Sequence, residues 1–339
     1  MPFPSGRRST TWTTGLLCVG LCAALIGGCA ATPAHPQLDG PTTVVTPTAD
    51  PWSYGDAAGA VLHTEHYDIY TTVGDPDVRR RLPEVMEGAL GEYHKLAPGV
   101  PLTSNAPMKC FVFGTRQQWV DFTRRNTGAD AYWYLKINRG GYTVRDWYVA
   151  YSVGEAATLS VAAHEGWHQF ASRHFKGRLP PFLEEGIATM FEDLHWDGDL
   201  PRWNLTVNRG RVDALQRAVS GGTVFPLAEL VKLHAGSVVA QNGAQIEAFY
   251  AQDWAFATFL WSADGGKYRP ALRQLIDDTA AGVVFDPTGS HDNAAAPWVP
   301  AGVRPMLEHY LGRSLEAIDA DYQRYVRKVA FEDYNQQWE

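Results

Sequence analysis

From about residue 60 the chain alternates apolar and polar side chains. His66-Tyr67-Asp68-Ile69-Tyr70 has the period of two of a half-buried strand, and Met108 to Phe113 is a short apolar run suited to a buried one. Between them, Val78 to Leu96 carries a helical pattern. Tyr142 to Tyr151, rich in valine and aromatics after Gly140-Gly141, predicts one arm of a hairpin or an edge strand. Residues 155–175 and 181–195 read as helices, the second opened by Pro180-Pro181, because proline is well tolerated in a first helical turn. Further helices are expected at Pro226–Leu233, Ala248–Trp261, Arg269–Thr279 and Ser314–Val329, with a long loop at 282–300. There is no internal repeat and no heptad run. The pattern implies an α+β fold: a small twisted mixed sheet backed by helices over residues 52–200, then a mainly helical half over 201–339.

The start of the chain follows a different pattern. Arg7 and Arg8 precede a short apolar run, Leu16 to Ile26, which ends in Ile26-Gly27-Gly28-Cys29. Eleven apolar residues are too few to span a bilayer, and the arrangement resembles a bacterial lipoprotein signal. That resemblance implies removal of residues 1–28, a lipid on Cys29 and an extracytoplasmic protein held to the membrane by that lipid. Residues 29–51, rich in Pro, Thr and Ala, read as an unstructured tether to a folded domain at 52–339. With Cys18 and Cys22 removed and Cys29 modified, Cys110 is the remaining thiol, so no internal disulfide can form.

At 339 residues, with 45% hydrophobic composition, the chain can bury a large core without cross-links. Its formal charge of −8 becomes −10 once Arg7 and Arg8 are lost, which argues against a nucleic-acid partner. The 12 tryptophans are scattered from Trp12 to Trp338, which suits packing better than a sugar-stacking platform.

The chemistry concentrates at His164-Glu165-Gly166-Trp167-His168, an HExxH match. On a helix, residues four apart share a face, so both imidazoles can reach one zinc ion while Glu165 lies beside its open position. Zinc makes its bound water acidic, and Glu165 can take the proton as that water attacks a carbonyl. Chance would produce such a motif in on the order of 1 in 100 chains of this length, so context decides.

That context is Leu179-Pro180-Pro181-Phe182-Leu183-Glu184-Glu185-Gly186-Ile187-Ala188-Thr189-Met190-Phe191-Glu192, which resembles the second zinc helix of the gluzincin metallopeptidases, W-L-x-E-G-x-A, with Phe182 where tryptophan is usual. The resemblance implies a thermolysin-like core, one Zn2+ per chain held by His164, His168 and Glu185, and a peptide or protein substrate. Glu184, about 100° away on the same helix, would be a solvated or supporting carboxylate. Together with His66–Tyr70, Lys109–Phe113 and Tyr250-Ala251-Gln252-Asp253-Trp254-Ala255, these motifs are similar to a bacterial gluzincin-type family known as the domain of unknown function DUF1570, over roughly residues 60 to 330. By that similarity Tyr250 is a candidate to stabilise the oxyanion, the other reading being a packed core tyrosine.

Two alternatives remain to be weighed. His164 to His174 also resembles the metzincin motif HExxHxxGxxH, but Ala171 stands where that motif needs a glycine to leave the helix. If the helix continues, His174 lies about 280° around the axis from His164 and points away. Against an enzyme stands a silent zinc-containing envelope protein that binds a cell-wall component or a partner protein. The intact Glu165 favours the enzyme, since a structural site has no use for a general base. His195 and the other histidines outside the motif read as surface or core residues.

If Cys29 carries the lipid, Cys29→Ala leaves the protein unlabelled by a metabolic lipid probe while the folded body persists. Continued labelling of the mutant removes the anchor.

Overall fold

The computed structural model describes residues 38–102, 106–138, 140–238, 243–289 and 299–332, all within one unit, Pro36–Glu339. Cys29, the signal segment and the first part of the expected tether lie outside the described residues. Six strands form a mixed sheet: β1 (Thr48–Tyr54), β2 (Ala57–His63), β3 (Tyr67–Thr71), β4 (Met108–Phe113), β5 (Gly141–Val144) and β6 (Trp147–Tyr151). Their order is β1-β2-β3-β4-β6-β5, parallel at β3/β4 and β4/β6 and antiparallel elsewhere. The expected α+β class with a small mixed sheet is what the chain adopts.

β4 beyond Lys109 and β6 are apolar because the sheet is covered on both faces there. Cys110 and Val112 of β4 and Tyr148 and Ala150 of β6 enter the main core, while Phe111, Phe113, Val149 and Tyr151 enter a second cluster with Trp119 and Phe122. That second face is closed by α2 (Arg116–Asn126), whose N-terminus is held by a reciprocal Thr115/Gln118 capping box. On the main face lie α1 (Pro76–Leu96), capped by Asp75, and α4 (Glu155–His174); a single turn, α3 (Ala131–Tyr134), comes between α2 and β5.

The helical half follows α5 (Pro181–Thr189) and comprises α6 (Arg209–Gly221), the short α7 (Leu227–Leu230) and α8 (Ala235–Val238), α9 (Gly243–Gly266), α10 (Arg269–Ala281), α11 (Val303–Leu311) and α12 (Leu315–Arg327). α9 is buried almost without interruption from Ala248 to Leu260, mostly through apolar side chains, and acts as the axis around which α5, α6, α10 and α12 pack. Its helical geometry breaks at Ala263–Gly265. No helix among the described residues is long and apolar enough to cross a membrane.

Four expectations need correction. Residues 38–51 are structured: Asp39 exchanges two backbone hydrogen bonds with Trp203, Val45 N–H donates to the buried Glu84 carboxylate, and β1 starts at Thr48. β1 looks like a tether because it is an exposed edge strand, where Pro51 costs no ladder bond to a further neighbour. Tyr142–Tyr151 is both arms of a hairpin, of which only β5 is the edge. The helix expected over 181–195 stops at Thr189 and gives way to a second hairpin, β7 (Leu194–Asp197) with β8 (Leu200–Trp203), turning at Gly198-Asp199 with Gly198 at φ 62°. Pro226–Leu233 holds only the single turn α7.

Truncation to Trp52 leaves Glu84 buried without Val45 and removes half of β1. Compared with a chain starting at Leu38, its thermal midpoint is expected to fall by roughly 3 °C or more. Equal midpoints would mean that residues 38–51 contribute nothing to stability.

Candidate metal centre

Two close helix contacts orient the site. On α4, a side chain at Gly166 would place its first carbon 2.6 Å from the Tyr93 hydroxyl of α1, and that hydroxyl donates to the Ala163 carbonyl at 2.5 Å. With residue 166 turned to α1, residues 164 and 168 lie about 200° around the helix and face the opposite way. On α5, a side-chain carbon at Gly186 would stand 2.2 Å from the Asp253 carbonyl of α9. Only glycine lets α5 lie this close to α9, and the neighbouring Glu185 is thereby presented to α4.

Three atoms then converge. His164 Nε2 and His168 Nε2 are 3.3 Å apart, and Glu185 Oε2 is 3.4 Å from the first and 3.6 Å from the second. Donors at about 2.0–2.1 Å from a tetrahedral zinc stand roughly 3.3–3.4 Å from one another. The donor set therefore matches zinc in both type and spacing. His164, His168 and Glu185 are the one such cluster among the described residues.

Carboxylates behind the imidazoles orient them as ligands would be oriented. Glu192 Oε1 lies 2.9 Å from His164 Nδ1, and Glu184 Oε1 lies 3.1 Å from His168 Nδ1. An Nδ1–H that donates to a carboxylate leaves the Nε2 lone pair for a metal. Glu192 is itself clamped: Arg211 donates to both its oxygens at 2.6 and 2.8 Å, and Asn208, the N-cap of α6, donates at 3.0 Å. Arg211 in turn lies over the Tyr250 ring, 5.2 Å from its centre.

The charges respond to these neighbours. Burial opposes the cationic form of His164, yet its bonds to Glu185 and Glu192 hold its pKa up at about 9. Burial likewise opposes His168, and the charge of Glu185 with bonds to Glu184 and Glu185 takes it well above the usual imidazole range. Burial would raise both ligand-side carboxylates, but His168 and His164 hold Glu185 far below its usual range, and Arg211 with His164 holds Glu192 at about 2. The buried carboxylates thus favour positive charge between the two rings, which a divalent ion would supply in place of protons.

Glu165 is buried beside this cluster, its pKa raised by burial and only partly restrained by the two histidines. The Thr143 hydroxyl of β5 lies 3.1 Å from both its Oε2 and its backbone carbonyl, tying the carboxylate to the edge strand. All four motif residues, with Tyr250, line one cavity of about 410 Å³, walled on one side by Trp133, Tyr134 and Tyr142. Burial, then the negative charge of Glu185, raises the Tyr250 pKa well above its ordinary value, so its phenol stays a donor.

The structure thus brings His164, Glu165, His168, Glu185 and Tyr250 together. Glu184 is the supporting carboxylate that its position on the helix implied. His174 stays apart: α4 continues to that residue before Phe175 turns extended, and its ring packs on Phe170 at 5.0 Å. His195, on β7, stands near Asp193 at 3.7 Å. Sequence reasoning missed Thr143, Glu192, Asn208 and Arg211. Glu192 stands in the motif stretch, but its use depends on the chain leaving the helix at Thr189. No protein-family model and no curated protein matches this chain.

Metal analysis after dialysis separates the roles. Glu185→Ala is expected to lose zinc, His174→Ala to keep it, and Glu192→Gln to bind roughly 10- to 100-fold more weakly through the loss of imidazole orientation. A zinc-free His174→Ala beside a zinc-loaded Glu185→Ala would overturn this ligand set.

Proposed function

We propose that the chain is a gluzincin-type zinc metallopeptidase with a thermolysin-like core, tethered outside a bacterial membrane by a lipid on Cys29. The observation that carries the reading is the buried Glu165 carboxylate set in a cleft beside two imidazoles and a glutamate spaced for tetrahedral zinc. A zinc ion held by His164, His168 and Glu185 would supply a Lewis acid that polarises a carbonyl and makes water acidic.

The chain's own residues have separable tasks. Glu165 accepts the proton of the attacking water and returns it to the departing amine. Thr143 holds that carboxylate in place from β5. The Tyr250 phenol donates to the carbonyl oxygen as negative charge develops on it. β5 is the outer strand of the sheet, and Gly141, Tyr142 and Thr143 line the cleft, so an extended peptide can add its backbone to this edge. That edge favours a peptide over other acyl compounds.

Glu165→Gln keeps every ligand and loses the base. Zinc is expected to remain near one per chain while cleavage of a peptide library falls by about 10²- to 10⁴-fold. Activity within a few-fold of wild type would move hydrolysis elsewhere. An inert wild-type protein across a broad library would favour a silent zinc protein that binds an envelope component.

A further inference from the structure

The hairpin that walls the cleft carries an unexpected residue at its tip. β5 and β6 pair Val144 with Trp147, which leaves Arg145 and Asp146 to reverse the chain. Arg145 has φ 59° at the first of these two positions, where glycine is preferred because any side chain crowds the backbone. Among the described residues only one other non-glycine residue, Asp264, has positive φ.

The strained turn is fixed to the helix that carries the zinc motif. The Ser172 hydroxyl donates to the Arg145 carbonyl, Gln169 donates to the Asp146 carbonyl at 2.7 Å, and Arg173 pairs with the Asp146 carboxylate at 2.6 Å. Ser172, Gln169 and Arg173 all belong to α4. The arginine is thus held in register with His164 and His168.

Arg145 is exposed at the rim of the cleft and is the one arginine or lysine among its described lining residues. Among the described residues no carboxylate lies within ion-pair distance of it; its guanidinium faces the Trp147 ring, 5.9 Å from the centre. The cleft's carboxylates have other roles, since Glu184 and Glu185 pair with the histidines and Glu165 with Thr143. The same cavity has an aromatic wall in which Trp133 is 53% exposed and Tyr134 stacks on Tyr142 at 4.1 Å. A planar guanidinium without an ionic partner among the described residues, at the rim of a cleft with such a wall, suits a carboxylate carried next to a large apolar side chain.

We propose that Arg145 is a specificity-determining residue that anchors a substrate carboxylate, an acidic side chain or a free C-terminus, beside an apolar side chain lodged against Trp133 and Tyr134. This rests on the peptidase reading of the same cleft, and direct binding tests it separately from turnover. The probes are dansylated hexapeptide amides with Phe beside Asp in either order, the matching Asn amides, and the Asn peptides with a free C-terminal carboxylate. Their affinities are measured by fluorescence anisotropy on the zinc-loaded full chain carrying Glu165→Gln, which prevents cleavage.

One of the two carboxylate sets is expected to bind about tenfold more tightly than the Asn amides, and the set that does so identifies the source. Arg145→Gly installs the residue the turn prefers, so its melting point should not fall, and the preference is expected to drop towards one. Arg145→Lys should restore part of it. Equal affinity for all sets, no binding of any, or a preference that survives Arg145→Gly would overturn the assignment. If the preference is confirmed while the chain with Glu165 intact cuts no peptide, Arg145 stays in place and the hydrolase reading alone is lost.

Discussion

The close approach of α5 to α9 at Gly186 is the constraint on which the site depends. Helix backbones rarely meet closely enough for a carbonyl to occupy a side chain's space, and here the Asp253 carbonyl does so. Because Glu185 is the next residue, the contact that packs the helical half also sets the height and rotation of the third donor in the cluster. Gly166 does the same for α4 against Tyr93. The geometry of the three donors is therefore the product of two helix-to-helix contacts made from the side away from the cleft.

The charge buried here needs that support. Removing carboxylates and imidazoles from water costs several kcal/mol per ion, offset only when each is paired. The network supplies the pairs in sequence: His164 to Glu192, Glu192 to Arg211 and Asn208, His168 to Glu184, and Glu165 to Thr143. Asp253 lies outside it, fully buried with neither carboxylate oxygen hydrogen-bonded, and burial together with the charge of Glu185 pushes its pKa well up. An acid raised in this way is disfavoured as a carboxylate at neutral pH, so it weakens the fold there. The continuous apolar surround of α9 carries that burden.

The motif residues were legible because their chemistry is local. Two histidines four apart on a helix share a face in any fold, and α4 keeps that helix through Ala171 to His174, as the absence of a breaker implied. β4 and α1 were legible for local reasons too, β4 as a short apolar run and α1 through its helical period. β1 was not, because an exposed edge strand containing Pro51 has no apolar alternation and is held mainly by backbone pairing with β2. The β7/β8 hairpin did leave a signal, Gly198 at the turn, in a stretch where helical periodicity from α5 looked sufficient.

The sequence by itself determined the elements whose side chains repeat at a helical or strand period, and the donor types at His164, His168 and Glu185. Their convergence, the clamp of Glu192 by Arg211, the tie from Thr143 to Glu165, and the placing of Arg145 in the same cleft were decided by tertiary structure. Glu192, between α5 and β7, is 19 residues from Arg211 on α6, and Thr143 on β5 is 22 from Glu165 on α4. No periodicity couples residues at such separations. Only the packing of α5, α6 and β5 around α4 brings them within hydrogen-bond reach.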